Sequence, residues 1–190
     1  NKIVNYFEID EDCFNMLRKA RNSRIGSLWL VGHFGNWEIL VIAISMHGFP
    51  PTYIYRPLDN PKLDAWIARM RNSRGAAGIS RDDARKLGPE VLARNQELAF
   101  LFDQNTLDGV FAPFFGKLAS TVRGPAAFAY ESRAPVFHGI VYRQKNHVYR
   151  LELSEVATRW DIEDKSEFIE VNSAIFNKHH EEQIKKAPQQ

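Results

Sequence analysis

Cysteine is almost absent from the 190-residue chain: Cys13 stands alone, so no internal disulfide can form. No four-ligand Cys/His pattern exists to hold a structural zinc. The composition fits a reducing compartment. A dominant charge is lacking too, since 25 Lys plus Arg stand against 23 Asp plus Glu, leaving +2. General attraction to nucleic acid is not indicated, and any basic site must be local. Long apolar runs are also missing. The longest, Ile39 to Met46 with a serine inside it, is far short of the roughly 20 residues that span a bilayer, so no transmembrane helix is expected. What is present is ordinary for a folded protein: 44% hydrophobic and 25% charged residues, with a generous 12% aromatic that argues against disorder. The length suits a single domain over residues 1–190. The chain begins at Asn1 without a charged-then-apolar leader, and it is expected to be an excised piece of something longer.

Apolar clusters alternate in length and period, predicting an α/β fold, a mixed sheet flanked by helices. Ser27 to Gly32 (SLWLVG) reads as a buried strand, and about Trp37 to His47 as a helix ending at Gly48. Tyr53 to Tyr55 reads as a second strand. Asn60-Pro61 supplies an N-cap and a first-turn proline for the helix KLDAWIARMRNS, ended by Gly75 and Gly78. Asp82 to Asn95 is helical in composition, with a break expected at Gly88-Pro89. Glu97 to Asp103 returns to strand. Gln104 to Arg123 reads as a long connection rich in turn formers. Pro125 to Arg133 suits a helix, Val136 to Tyr142 and Val148 to Leu153 a hairpin turned at Lys145-Asn146, and Lys165 to Lys186 a charged terminal helix.

His33 follows the strand SLWLVG directly, and Glu38 comes five positions later, at the start of the next helix, in the string HFGNWE. In a strand-turn-helix the strand end and the first helical turn face one crevice, where open α/β sheets place ligands. Glu38 is placed to orient one imidazole nitrogen while the other takes a proton from an attacking hydroxyl. Gly35 lets the backbone turn closely, and free amides at the helix start can face a developing oxyanion. The competing reading is a structural histidine beside a capping glutamate. Spacing alone does not decide, because six histidines and 23 acids in 190 positions give about 0.7 chance pairs at any offset. His147 and Glu152 share the same offset. On an extended strand an offset of five puts two side chains on opposite faces, which disfavours that second pair. Neither HExxH nor a third ligand at short spacing points to a metal.

Six arginines lie between Arg56 and Arg85: Arg56, Arg69, Arg71, Arg74, Arg81 and Arg85. Arginine over lysine suits bidentate phosphate binding, and the bland alternative is a solvated helix face. Asp103, ending a strand, opens into the His33 crevice if the two strands are parallel neighbours. Val110 to Phe115 is either core or a segment that dips into a bilayer interface. Trp37 and Trp66 read as core or pocket wall.

Four ordered blocks, VGHFGNWE, YRPLDNP, DQN and GVFAPFFGKLASTVRGPAAFA, together resemble the bacterial lipid A biosynthesis acyltransferase family, the lauroyl and myristoyl transferases. They cover roughly Leu28 to Arg143. The resemblance implies a glycerolipid-acyltransferase-like fold and His33 with Glu38 as a catalytic His-x4-acid dyad. It also implies substrate-binding roles for Arg56, Arg71 and Asp103, with Arg69 and Arg81 as further candidates. No metal or redox cofactor is implied. The implied partners are an acyl-carrier-protein thioester as co-substrate, a phosphorylated glycolipid acceptor and a membrane surface, with no nucleic acid. The implied location is the cytoplasmic face of the bacterial inner membrane. Family members usually carry an N-terminal membrane anchor and a C-terminal aromatic and basic stretch, so truncation at both ends is expected. Two other readings stay open: acylation of another lipid acceptor, such as a phosphoinositide mannoside or lysophospholipid, and a non-catalytic peripheral lipid-binding module.

Overall fold

The computed structural model describes residues 6–22 and 24–190. Its elements in chain order are β1 (Phe7–Ile9), α1 (Glu11–Asn22), β2 (Ser27–Val31), α2 (Trp37–Met46), β3 (Thr52–Tyr55), α3 (Pro61–Asn72), β4 (Ala77–Ser80) and α4 (Arg81–Ala93). There follow β5 (Glu97–Leu101), β6 (Val110–Phe114), β7 (Lys117–Thr121), α5 (Gly124–Ser132), β8 (Val136–Arg143), β9 (Tyr149–Glu155) and α6 (Lys165–Lys186). Seven strands form one sheet in the order β1-β9-β8-β2-β5-β3-β4. All neighbours are parallel except the β8–β9 pair, so the sheet is mixed.

Alternation along the central strands feeds two cores, as the pleat requires. Leu28 and Leu30 of β2, with Leu98 and Phe100 of β5, pack against α4, α5 and α6 through Leu92, Ala126, Ala129 and Phe168. Trp29 and Ala99 point the other way, toward Leu17 and Ala20 of α1, and α2 adds Leu40 and Ile44. Helices cover both faces, which is why these strands read as continuous apolar runs rather than as alternating ones. The helix starts follow their caps. Asn60 Oδ1 accepts from the Lys62 and Leu63 amides at 3.0 and 3.3 Å, and Asp164 Oδ1 accepts from Glu167 N at 2.8 Å.

Three expectations change. Gly78 does not end α3. It lies in β4 opposite Tyr53, where a Cβ would come within 3.0 Å of the Tyr53 and Tyr55 rings, so the strand needs glycine to seat them. Pro89 does not break α4, which runs unbroken from Arg81 to Ala93. The proline sits on the exposed side, where water can take the place of the lost backbone bond, while Gly88 packs beneath the Phe128 ring. The connection Gln104 to Arg123 contains a separate two-stranded antiparallel sheet, β6–β7. Its turn uses Phe115 and Gly116, both at positive φ (47° and 75°), the geometry of a tight hairpin. β1 and α1 have no counterpart in the sequence reading.

Candidate active site

β2 and β5 are adjacent and parallel, with Val31 opposite Leu101. Two residues further on, His33 and Asp103 leave the sheet side by side at its carboxyl edge. The Asp103 carboxylate holds His33 twice: Oδ1 lies 2.7 Å from the ring Nδ1, and Oδ2 accepts from the His33 backbone N–H at 2.7 Å. Burial works against the Asp103 charge, but the nearby His180 and His33 imidazoles and the His33 backbone N–H outweigh it and hold the carboxyl down at about 2. Asp103 is therefore an anion at any physiological pH. It fixes the proton of a neutral His33 on Nδ1 and leaves Nε2 as the acceptor. Gln104 Nε2 lies 3.5 Å from that nitrogen, and the Trp37 ring meets the imidazole edge-on at 5.1 Å.

Glu38 does not contact His33 as the spacing suggested. It stands in the first turn of α2, and both of its oxygens accept from Arg71 at the end of α3: Nε to Oε2 at 2.8 Å and Nη2 to Oε1 at 2.5 Å. A residue in a first helical turn points along its own helix face, and here that face looks at α3 rather than back at the strand end. Arg71 is also held between the faces of Trp37 and Tyr53, 5.3 and 5.4 Å from the ring centres. Burial opposes the guanidinium charge, but Glu38 more than restores it. Gly35 turns at φ +60°, and a Cβ there would fall 2.0 Å from the Val141 carbonyl oxygen. Asn36, the N-cap of α2, makes no side-chain cap bond, and its carbonyl accepts from the Ile39 N–H at 3.2 Å.

A cavity of about 650 Å³ opens over these groups. His33, Glu38, Arg56, Arg71, Arg81 and Gln104 line it with the apolar Trp37, Phe100 and Val122. Arg56 leans on Asp59 at 3.0 Å. Arg81 makes no ion pair among the described residues. Beside the cavity, a recess of about 30 Å³ runs between α2 and the sheet, walled by Val31, Leu40, Val41, Ala99 and Leu101. The structure thus brings together His33, Glu38, Arg56, Arg71 and Arg81, with Asp103 directly behind His33. It leaves Arg69 exposed and outside the cavity. Trp37 is pocket wall, but Trp66 is 56% exposed rather than core or wall. His147 bonds Arg143 on an exposed turn while Glu152 pairs with Lys186 and Arg150, so that pair does not meet. Gln104 and Tyr53 were not singled out as site residues, although Gln104 stands in the DQN block.

One family model, described as bacterial lipid A biosynthesis acyltransferase, matches residues 7–190. The chain belongs to that family. It is an acyltransferase that acts on a lipid, and the resemblance carried by the four sequence blocks is borne out. Comparison with curated proteins gives no match. Among the described residues, no helix of this lipid A acyltransferase family member is long and apolar enough to cross a membrane.

Proposed function

We propose that the protein moves a fatty acyl group from an acyl-carrier-protein thioester to a hydroxyl of a phosphorylated glycolipid, with His33 as general base. The observation that carries this reading is the division of labour at the imidazole: Nδ1 is held by Asp103 at 2.7 Å, while Nε2 faces the cavity. The acceptor O–H gives its proton to Nε2 as its oxygen attacks the thioester carbonyl. The tetrahedral intermediate collapses with loss of thiolate, which takes the proton back from Nε2 and leaves as thiol. Asp103 supports the imidazolium between these steps, and the Trp37 and Glu38 amides at the start of α2 are the donors we assign to the developing oxyanion. No covalent acyl-enzyme is needed.

Arg56 and Arg81 at the cavity rim are the groups for phosphate, since Arg71 is already committed to Glu38. The Glu38–Arg71 pair works as a strut between α2 and α3 that shapes the cavity wall. Contact with the cytoplasmic face of the inner membrane is supported by exposed apolar side chains on the β6–β7 hairpin, Phe111 at 67% and Leu118 at 70%, and beside the cavity, Leu63 and Trp66.

The test offers the intact protein an acyl-carrier-protein thioester together with a phosphorylated glycolipid or the same lipid stripped of phosphate. Transfer should favour the phosphorylated acceptor, and Arg56→Ala with Arg81→Ala should raise its KM while leaving kcat largely unchanged. Equal use of both lipids, by wild type and variant alike, would overturn the phosphate assignment.

A further inference from the structure

Behind Asp103 lies a second pair of imidazoles that the reaction above does not use. His180 of α6 is 1% exposed and His138 of β8 is 0% exposed. His138 Nε2 and His180 Nδ1 are 3.0 Å apart. His180 Nε2 stands 3.8 Å from Asp103 Oδ2, within ion-pair range and beyond hydrogen-bond length. The Phe102 and Phe114 rings wall the imidazole at 5.3 and 6.3 Å. The residue before His33 makes this approach possible: a Cβ on Gly32 would fall 2.2 Å from His180 Cε1 and 2.3 Å from Nε2. Any other residue at position 32 would push His180 away from Asp103.

Two buried histidines are a costly way to fill a core. His180 Nε2 and His138 Nδ1 have no hydrogen-bond partner among the described residues, and a buried polar atom left so is destabilising. A leucine or phenylalanine would avoid that cost, so packing does not account for them. No three His, Cys, Asp or Glu side chains among the described residues converge as metal ligands either.

Resting on the acyl-transfer reading, we infer that His180, held by His138, is a positioning residue: it aims its Nε2–H at the back of Asp103 across 3.8 Å and so fixes the direction of every proton between the core and His33 Nε2. Burial first, then repulsion from His180, His179 and Lys186, holds His138 well below its ordinary value, against a smaller opposing pull from Asp103, and keeps it neutral. Its single proton can sit on either nitrogen. On Nε2 it is donated to His180 Nδ1, which puts the His180 proton on Nε2, aimed at Asp103 Oδ2. On Nδ1 it would be a buried N–H without an acceptor, and a His180 lone pair would then face a carboxylate lone pair. The first array leaves a bare lone pair on His138 and turns the His180 N–H toward the carboxylate charge 3.8 Å away, where the second sets lone pair against carboxylate, and the first wins. Asp103 Oδ2 then accepts from the His33 backbone at 2.7 Å with the His180 N–H dipole aimed at it from 3.8 Å, Oδ1 accepts from His33 Nδ1, and His33 Nε2, with the Gln104 amide at 3.5 Å, carries no proton and can take one from the acceptor hydroxyl. The remaining neighbour, His179, turns outward to Ser154 Oγ at 2.8 Å.

The experiment compares intact wild type, His180→Leu and His180→Gln by steady-state transfer and by histidine 15N NMR. His180→Leu should lower kcat about tenfold or more with KM changed less than about twofold, and His33 should pass from one Nδ1–H tautomer to a mixture. His180→Gln, whose side-chain N–H can reach Asp103, should recover most of the rate and the single tautomer. Wild type alone should show Nε2–H on both His138 and His180, a reading that stands even if the leucine variant does not fold. The inference is overturned if His180→Leu keeps kcat within about twofold, if leucine and glutamine are equally impaired with the His33 tautomer unchanged, or if wild-type His180 carries its proton on Nδ1. Tautomers as described in a protein that transfers no acyl group would support the array and refute the acyl-transfer reading instead.

Discussion

Replacing Asp103 by asparagine removes one charge and one acceptor while keeping the shape of the side chain. The carboxylate takes two donors at 2.7 Å, the His33 ring and the His33 backbone, on two different oxygens. An amide has one acceptor oxygen, so one of those donors must face an NH2 group. Two consequences follow, on stability and on rate. The Asp103 carboxyl falls from 3.8 to about 2 on folding, which corresponds to about 2 kcal/mol of stabilisation at neutral pH. Because the folded value lies below the unfolded one, that stabilisation is complete above about pH 4 and fades as the pH drops through about 2. Urea unfolding followed by circular dichroism should show Asp103→Asn less stable than wild type by about 2 kcal/mol at neutral pH, with the gap closing below about pH 4. Transfer should slow by about 10⁴-fold, the scale seen when an imidazole loses the carboxylate that fixes its tautomer. A variant as stable as wild type at neutral pH, or a gap unchanged in acid, would refute the electrostatic account of Asp103. A rate within tenfold of wild type would refute its role behind His33.

Glu38→Gln leaves the half-buried Arg71 guanidinium without its counter-ion and should destabilise the fold by about 2 kcal/mol in urea titration; its loss of kcat should be smaller than that of Asp103→Asn, since Glu38 supports the cavity wall rather than the imidazole. Gly35→Ala combines a left-handed φ of +60° with a Cβ 2.0 Å from the Val141 carbonyl; it should cost about 2 kcal/mol and lower Tm by about 4–8 °C in a thermal melt.

The sequence showed His33 but not its partner, and the reason is geometric. HFGNWE places a histidine at a strand end and a glutamate in the following helix, and that arrangement is what the structure shows. Which way Glu38 points depends on the face of α2 that meets α3, a tertiary fact with no trace in the spacing. Asp103 lies 70 residues from His33, and only the β2–β5 register brings them together. DQN at a strand end was enough to mark Asp103 as a site residue, not to say what it holds. The strongly apolar strands SLWLV and ELAFL were legible because both faces of a parallel sheet are buried. β4, four residues with glycine inside, was not, because its identity comes from pairing with Tyr53. β6 was hidden by Pro113 within a strand, and Pro89 suggested a break in α4 that solvent on its exposed side makes unnecessary. His180 lies in the charged string KHHEEQ and looks like surface until α6 packs on the sheet.

Everything in this account meets at one nitrogen, Nε2 of His33. The direct measurement is single-turnover transfer of a labelled acyl chain from its carrier-protein thioester to the lipid acceptor by wild type and His33→Ala, with both proteins verified as folded. Wild type should transfer the label, and His33→Ala should slow the chemical step by about 10³-fold or more. Transfer by His33→Ala within about tenfold of wild type would contradict the account.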